Sequence, residues 1–250
     1  MAALIIEFTG VTGAGKTSLI NAFEYAAAAN GIVVRDAYDI IFRQYRLSHL
    51  RNIHIRSALM DVITLPYFFR NLLSTDGRKI TKLAFRNIIN DSDNTIVMLN
   101  LARNFMKRIG VHLILQNIQD KTTDCDFIVC DEGILHIAHN AFVHVQKEPN
   151  LNDVIEFGDL IAKTDLIIWV KSTPNKSIDA IMSQKGHSRV PKKLQDATSF
   201  VDNAYRVFET ICTISSVNER LRVIETSLHD EQKIAEQAQI LLKQLTPRAT

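Results

Sequence analysis

Residues 10–17 read Gly-Val-Thr-Gly-Ala-Gly-Lys-Thr, and no other stretch restricts the fold of this chain as narrowly. A β-prone run, Leu4 to Phe8, comes directly before it. An Ala-rich stretch with helical character, Lys16 to Ala29, comes directly after and stops at Asn30-Gly31. The pattern Gly10-x-x-x-x-Gly15-Lys16-Thr17 between a strand and a helix is the setting in which a chain cradles a triphosphate. Glycine lets the backbone take positive φ and approach phosphate oxygens without a Cβ in the way. Amides from about Gly13 to Ser18 then point inward at a helix N-terminus and favour an anion. The candidate nucleotide-binding residues are therefore Gly10, Val11, Thr12, Gly13, Ala14, Gly15, Lys16, Thr17 and Ser18. Lys16 is expected to reach the β- and γ-phosphates, and the Thr17 hydroxyl to hold magnesium. ATP with magnesium is the expected cofactor pair.

Ile32 to Val34 reads as a second strand, which makes the N-terminus a strand–loop–helix–strand unit with parallel strands and a right-handed crossover. Three later apolar runs, Asp126 to Cys130, Leu166 to Val170 and Leu221 to Ile224, read as further buried strands. Continuous apolar runs suit strands covered on both faces. Helical stretches separate them, so the fold class is a doubly wound α/β sheet. From about residue 37 to 123 the apolar spacing turns helical, as in Arg51–Leu59 and Asn100–Ile109, and Arg and Lys outnumber Asp and Glu. This reads as a helical insertion within a single domain spanning 1–250. Its basic residues, Arg108 among them, either cover one side of the site or form solvated helix faces.

Composition narrows the function classes. A formal net charge of +2 argues for neither nucleic acid nor a membrane surface. Three cysteines with no CxxC pair suit a reduced, cytoplasmic protein better than a disulfide framework. No apolar run reaches the roughly 18–20 residues that cross a bilayer, and Met1 to Gly10 has no basic leader.

A second acidic element follows the third strand. Four apolar residues run into Asp131, a Walker B-like strand end whose carboxylate is expected to organise magnesium. Glu132 comes next and either activates water, faces an acceptor, or is merely solvated. Glu132, His136 and His139 lie at i, i+4 and i+7, one helix face if a helix begins there, and are open to substrate, metal or structural roles.

Taken together, these pieces resemble the thymidylate kinase-like branch of the P-loop nucleoside and nucleotide kinases. GVTGAGKT is similar to that family's phosphate loop, and VCDEGILH to its acidic strand end. TDLIIWVKSTPNKSIDAIMSQKGHSR looks like its fourth strand, Pro-containing turn, helix and basic lid. SFVDNAYRVFETI is similar to the helix after the lid. LRVIETSLHDEQKIAEQAQILLKQL looks like its last strand, adenine loop and final helix.

The resemblance implies a three-layer α/β/α sandwich around five parallel strands in the order 2-3-1-4-5, with Asp131 beside the phosphate loop. It implies a lid over residues 183–195 with Arg189 as its leading cation, Lys185 next and Gly186 as hinge. Thr226 and Ser227 fall at the adenine loop. Arg35, Asp36 and Asp39 fall where such kinases place substrate-facing groups. Asp36 is the candidate to orient or deprotonate an acceptor hydroxyl, with a turn-forming role as the alternative.

The implied activity is transfer of the ATP γ-phosphoryl to a small-molecule acceptor, a nucleoside or a nucleoside monophosphate such as dTMP, with Lys16, Asp36, Asp131 and Arg189 as catalytic candidates. The family's homodimer contact is carried over as an expectation. Two departures fall on the acceptor side. Glu132 stands where the family has Arg after the strand-end acid. Arg35-Asp36-Ala37 stands where its thymidylate branch has Arg-Glu-Pro. An ATPase or GTPase switch built on Asp131-Glu132, or a non-catalytic nucleotide-binding protein, are the competing readings.

Overall fold

A computed structural model describes residues 2–90, 94–161, 164–183, 189–226 and 231–246. Its sheet has five strands: β1 (Leu4–Thr9), β2 (Val34–Asp36), β3 (Phe127–Asp131), β4 (Leu166–Lys171) and β5 (Leu221–Glu225). They lie in the order β2-β3-β1-β4-β5, with every pair parallel, as the family resemblance implied. The second strand begins two residues later than its apolar run, because pairing with β3 starts at Val34 opposite Phe127 and carries Arg35 and Asp36 into the ladder.

Strand alternation divides the core. Ile6 and Phe8 of β1, with Ile168 and Val170 of β4, point to α1 (Lys16–Ala29) and α11 (Glu231–Leu245). Ile5 of β1 and Ile128 and Cys130 of β3 point the other way, to α2 (Ala37–Gln44), α3 (Ile53–Asn71) and α5 (Thr95–Ile118). Alongside them a larger cluster joins α4 (Thr75–Asn90), α6 (His136–Phe142), α7 (Leu151–Leu160), α8 (Pro174–Ser183) and α9 (Leu194–Cys212), and a short α10 (Ser215–Asn218) leads into β5. Between β2 and β3 the described residues form helices α2 to α5 and a 3₁₀ turn, with no strand. No helix among the described residues is long and apolar enough to cross a membrane.

One residue breaks the apolar pattern of the core. Glu7 sits in mid-β1, on the face shared with Ile5, and is 1% exposed. Its Oε1 accepts the amides of Leu135 at 2.7 Å and His136 at 3.1 Å, and its Oε2 accepts the Thr164 hydroxyl at 3.4 Å. Gly133 lies over the carboxylate so closely that a Cβ there would press on it. The first strand is thereby fastened to the segment that follows the third.

Burial pushes the Glu7 carboxyl up to about 7, against the amides of His136 and Leu135 and the charge of Arg108. The folded state therefore holds this proton more tightly than the unfolded chain. That contribution is complete below the ordinary value of 4.5 and is lost as pH rises to about 7. Glu7→Gln removes the titration. Its stability relative to the parent should rise by about 3 kcal/mol between roughly pH 4.5 and 7.5. Urea unfolding across that range measures the gap, and a gap independent of pH would refute this assignment.

Candidate functional site

The phosphate loop leaves β1 at Gly10 and enters α1 at Gly15. Gly13 and Gly15 have φ of 80° and 88°, the left-handed region that glycine enters without a Cβ penalty. A Cβ on Gly10 would meet the Val170 carbonyl of β4, and one on Gly13 would meet the Ala180 methyl of α8. The loop is thus packed against its neighbours as well as shaped from within. The Thr226 hydroxyl, buried after β5, donates to the Ala14 carbonyl at 2.5 Å, and its amide donates to Lys171 O at 2.8 Å. Thr226 supports the phosphate loop directly. Ser227, Lys185 and Gly186 lie outside the described residues.

Lys16 is 8% exposed. Its Nζ donates to the Gly10 carbonyl at 3.1 Å and lies 3.5 Å from Glu132 Oε1. Thr17 and Ser18 are exposed in the first turn of α1. Parallel register brings Asp131 opposite Phe8, two residues before the loop begins. The Asp131 carboxyl is raised by burial and by the Glu132 charge, and lowered by Lys16 and Arg108, which puts Asp131 within electrostatic reach of Lys16.

Glu132 holds the centre of the site. Its φ is 57°, an uncommon conformation for a residue with a side chain, and its amide donates to Phe8 O at 3.0 Å. Its carboxylate meets Arg108 of α5 at 2.8 Å, Lys16 at 3.5 Å and His136 Nε2 at 3.5 Å. Burial pushes its carboxyl upward, but Arg108 and Lys16 outweigh burial and leave it below its ordinary value. Glu132 is therefore ionised near neutrality and already engaged by cations.

The Arg108–Glu132 pair lines two cavities. One, of about 260 Å³, has Thr12 of the phosphate loop, Asn104, His136, His139 and Arg189 in its wall. The other, of about 280 Å³, has Asp36, Tyr38, Asp131 and Glu7 in its wall. Asp36 caps α2, accepting the amides of Tyr38 at 2.8 Å and Asp39 at 3.2 Å. It is a helix cap and a cavity-lining carboxylate at once. Asp39 is engaged by Arg56 instead.

Arg189 is tucked in from the segment before α9. Its guanidinium donates to the His139 and Val143 carbonyls and lies 5.2 Å over the Phe200 ring. Burial lowers its pKa to about 10, so it stays charged. The rings of His136 and His139 stack 4.8 Å apart. Burial, then the charges of Arg108 and Lys16, hold His136 well below its ordinary value, while burial and the His136 ring do the same for His139. No group of three or more His, Cys, Asp or Glu among the described residues is placed to hold a metal, so the Glu132, His136, His139 face forms no such centre. A magnesium ion needs little from the protein, because phosphate oxygens and water complete its shell. The exposed Thr17 hydroxyl and the Asp131 carboxylate, opposed by a neighbouring negative charge, suit that limited role.

Sequence reasoning did not single out Glu7 and treated Arg108 only as one of many basic residues. A lone acid inside the run LIIEFT was the available signal for Glu7. Arg108 had none, because α5 reaches β3 only through tertiary packing.

Strand order and phosphate loop together define a P-loop α/β fold with five parallel strands in the order β2-β3-β1-β4-β5. No family model matches the chain, and no curated protein matches it. Among solved structures, it is similar to a thymidylate kinase from Ehrlichia chaffeensis, at 13% identity and a TM-score of 0.46, over 97% of this chain and 100% of that one.

Thr226→Val keeps the shape of the side chain and deletes the hydroxyl on Ala14. It should cost about 1–2 kcal/mol of stability and, with a looser phosphate loop, weaken whichever nucleotide that loop holds. Denaturant unfolding and nucleotide titration check the two effects.

Proposed function

We propose that this protein is an ATP-dependent phosphotransferase that moves the γ-phosphoryl group to a small-molecule acceptor. The observation that carries the reading is the adjacency of β1 and β3, with Asp131 in register with Phe8, two residues before the loop that carries Lys16. The loop amides and Lys16 would hold the triphosphate, which must take Lys16 from the Gly10 carbonyl and Glu132. Thr17 and Asp131 would hold magnesium, which offsets charge on the phosphate oxygens when bound.

The acceptor oxygen forms the new bond to the γ-phosphorus, and the bond from that phosphorus to the bridging oxygen of ADP breaks. The proton of a hydroxyl acceptor passes to a strand-end carboxylate, Asp36 being the candidate. Arg189, half-buried beside His139 and lining the same cavity as Thr12, would oppose charge on the transferring group. The cytoplasm, where ATP is abundant, is the proposed location, and a homodimer the proposed assembly.

Glu132 favours transfer over simple hydrolysis. A carboxylate held below its ordinary value by Arg108 and Lys16 is a weak base toward water.

A screen with labelled ATP and magnesium against nucleosides, nucleoside monophosphates and sugars tests the proposal. Lys16→Ala should lower transfer by at least about 10²-fold, and Asp131→Asn should lower it with a marked loss of magnesium dependence. Steady acceptor-independent hydrolysis, with no acceptor found and a collapse in Glu132→Gln, would replace the kinase reading with an ATPase.

A further inference from the structure

In the cavity of about 260 Å³ beside Thr12, the charged groups of the wall already have partners and several neutral ones do not. Arg108 is bonded to Glu132 at 2.8 Å and lies 3.5 Å from the Gly133 carbonyl. Arg189 donates to the His139 and Val143 carbonyls and lies over the Phe200 ring. Three carboxamides also line the cavity: Asn100 and Asn104, four residues apart on α5, and Asn140 near the end of α6. No hydrogen bond among the described residues occupies any of their side chains. Asn140 is 9% exposed, so its carboxamide has little bulk water to bond to.

The rest of the wall narrows the class of ligand. His136 and His139 line it, and burial above all holds both rings well below their ordinary value, so they add no charge. Among the described residues, Val97 and Leu101 are its only aliphatic side chains, and no Phe, Tyr or Trp lines it. A planar heterocycle would find little apolar surface to lie against. A carboxamide offers a donor and an acceptor together. A hydroxyl group uses both, whereas an acceptor-only anion uses the donor and leaves the oxygen facing it. The volume falls just short of the usual range for drug-sized ligands, roughly 300–1,000 Å³, which limits the occupant to a single small ring.

We propose that this cavity binds an uncharged polyol of the size of one monosaccharide, through Asn100, Asn104 and Asn140. The inference goes beyond the phosphotransferase reading, because it concerns binding and needs no turnover. Only the further step of calling the polyol the phosphoryl acceptor would rest on that reading.

NMR titration of the full chain with D-glucose, D-ribose and myo-inositol makes the test, with thymidine and its 5′-monophosphate as comparison probes. The side-chain amide resonances of Asn104 and Asn140 should shift with at least one polyol at millimolar concentration. Asn104→Leu keeps much of the side-chain volume and deletes the carboxamide. It should weaken that polyol about tenfold, the worth of about one net hydrogen bond, and leave ATP affinity unchanged. Should that variant misfold, Asn100→Ala, at an exposed position of α5, should weaken the polyol in the same direction, and the resonances of the parent protein are independent of either variant.

Three results would each overturn the proposal: no polyol shifts the two carboxamides, thymidine or its monophosphate binds there more tightly than every polyol, or polyol affinity is indifferent to Asn100 and Asn104. Polyol binding at the carboxamides with no phosphoryl transfer to any acceptor would sink the kinase reading and leave this site standing. Transfer to a nucleoside, with no polyol bound, would do the reverse.

Discussion

Glu7 is a carboxylate placed where the sheet would otherwise be apolar, and the site is arranged around the way it is satisfied. Removing a carboxylate from water is costly unless hydrogen bonds replace the lost solvation. Here the replacements are the amides of Leu135 and His136 and the Thr164 hydroxyl. Two of those partners belong to the segment just after Asp131, so satisfying Glu7 draws that segment down onto β1. Gly133 permits the close approach. Glu132, one residue earlier, is left with φ of 57° and a side chain directed at Lys16 and Arg108. A buried acid in one strand thus settles where the acid after another strand points.

Glu132 then organises the charges on both sides of it. It engages Lys16 from the phosphate loop, Arg108 from α5 and His136 from α6. These contacts give Lys16 of the phosphate loop a counter-anion within the protein. They also hold the Arg108 guanidinium between two cavities, with arginine and histidine on one side and paired carboxylates on the other. The half-buried guanidinium of Arg189, held by two carbonyls and the Phe200 ring, adds a cation to the first of these. The proposed phosphoryl transfer would rest on this partition of charge.

Sequence reading was strongest where function is local. The phosphate loop needs glycines, a lysine and a hydroxyl within eight consecutive residues, and its backbone conformations are demanded by short-range sterics. Strand order was also legible, because five apolar runs separated by helices admit few right-handed parallel arrangements and the family resemblance selected one. The edge of β2 was less so: its apolar run, Ile32 to Val34, precedes the residues that pair with β3. Arg108 was hidden in helical periodicity. Only the packing of α5 over β1 and β3 shows that this face meets the site and not solvent.

What the chain determines by itself is the cradle: Gly10 to Thr17, the helix it opens, and the acid Asp131 at the end of a buried strand. Local backbone preference and the alternation of strands and helices suffice for those. The tertiary structure decided what surrounds the cradle. It turned Asp36 into both a helix cap and a cavity wall, and set Thr226 beneath Ala14. It set Arg189 against the His139 and Val143 carbonyls and gave Glu132 three cationic or imidazole neighbours. The Asp36 cap is local, but Thr226 and Ala14 lie 212 positions apart, Arg189 and His139 lie 50 apart, and Arg108 and Glu132 lie 24 apart. Contacts of that kind come from the mutual packing of separate elements, where burial and charge are set by neighbours that no local stretch of sequence contains.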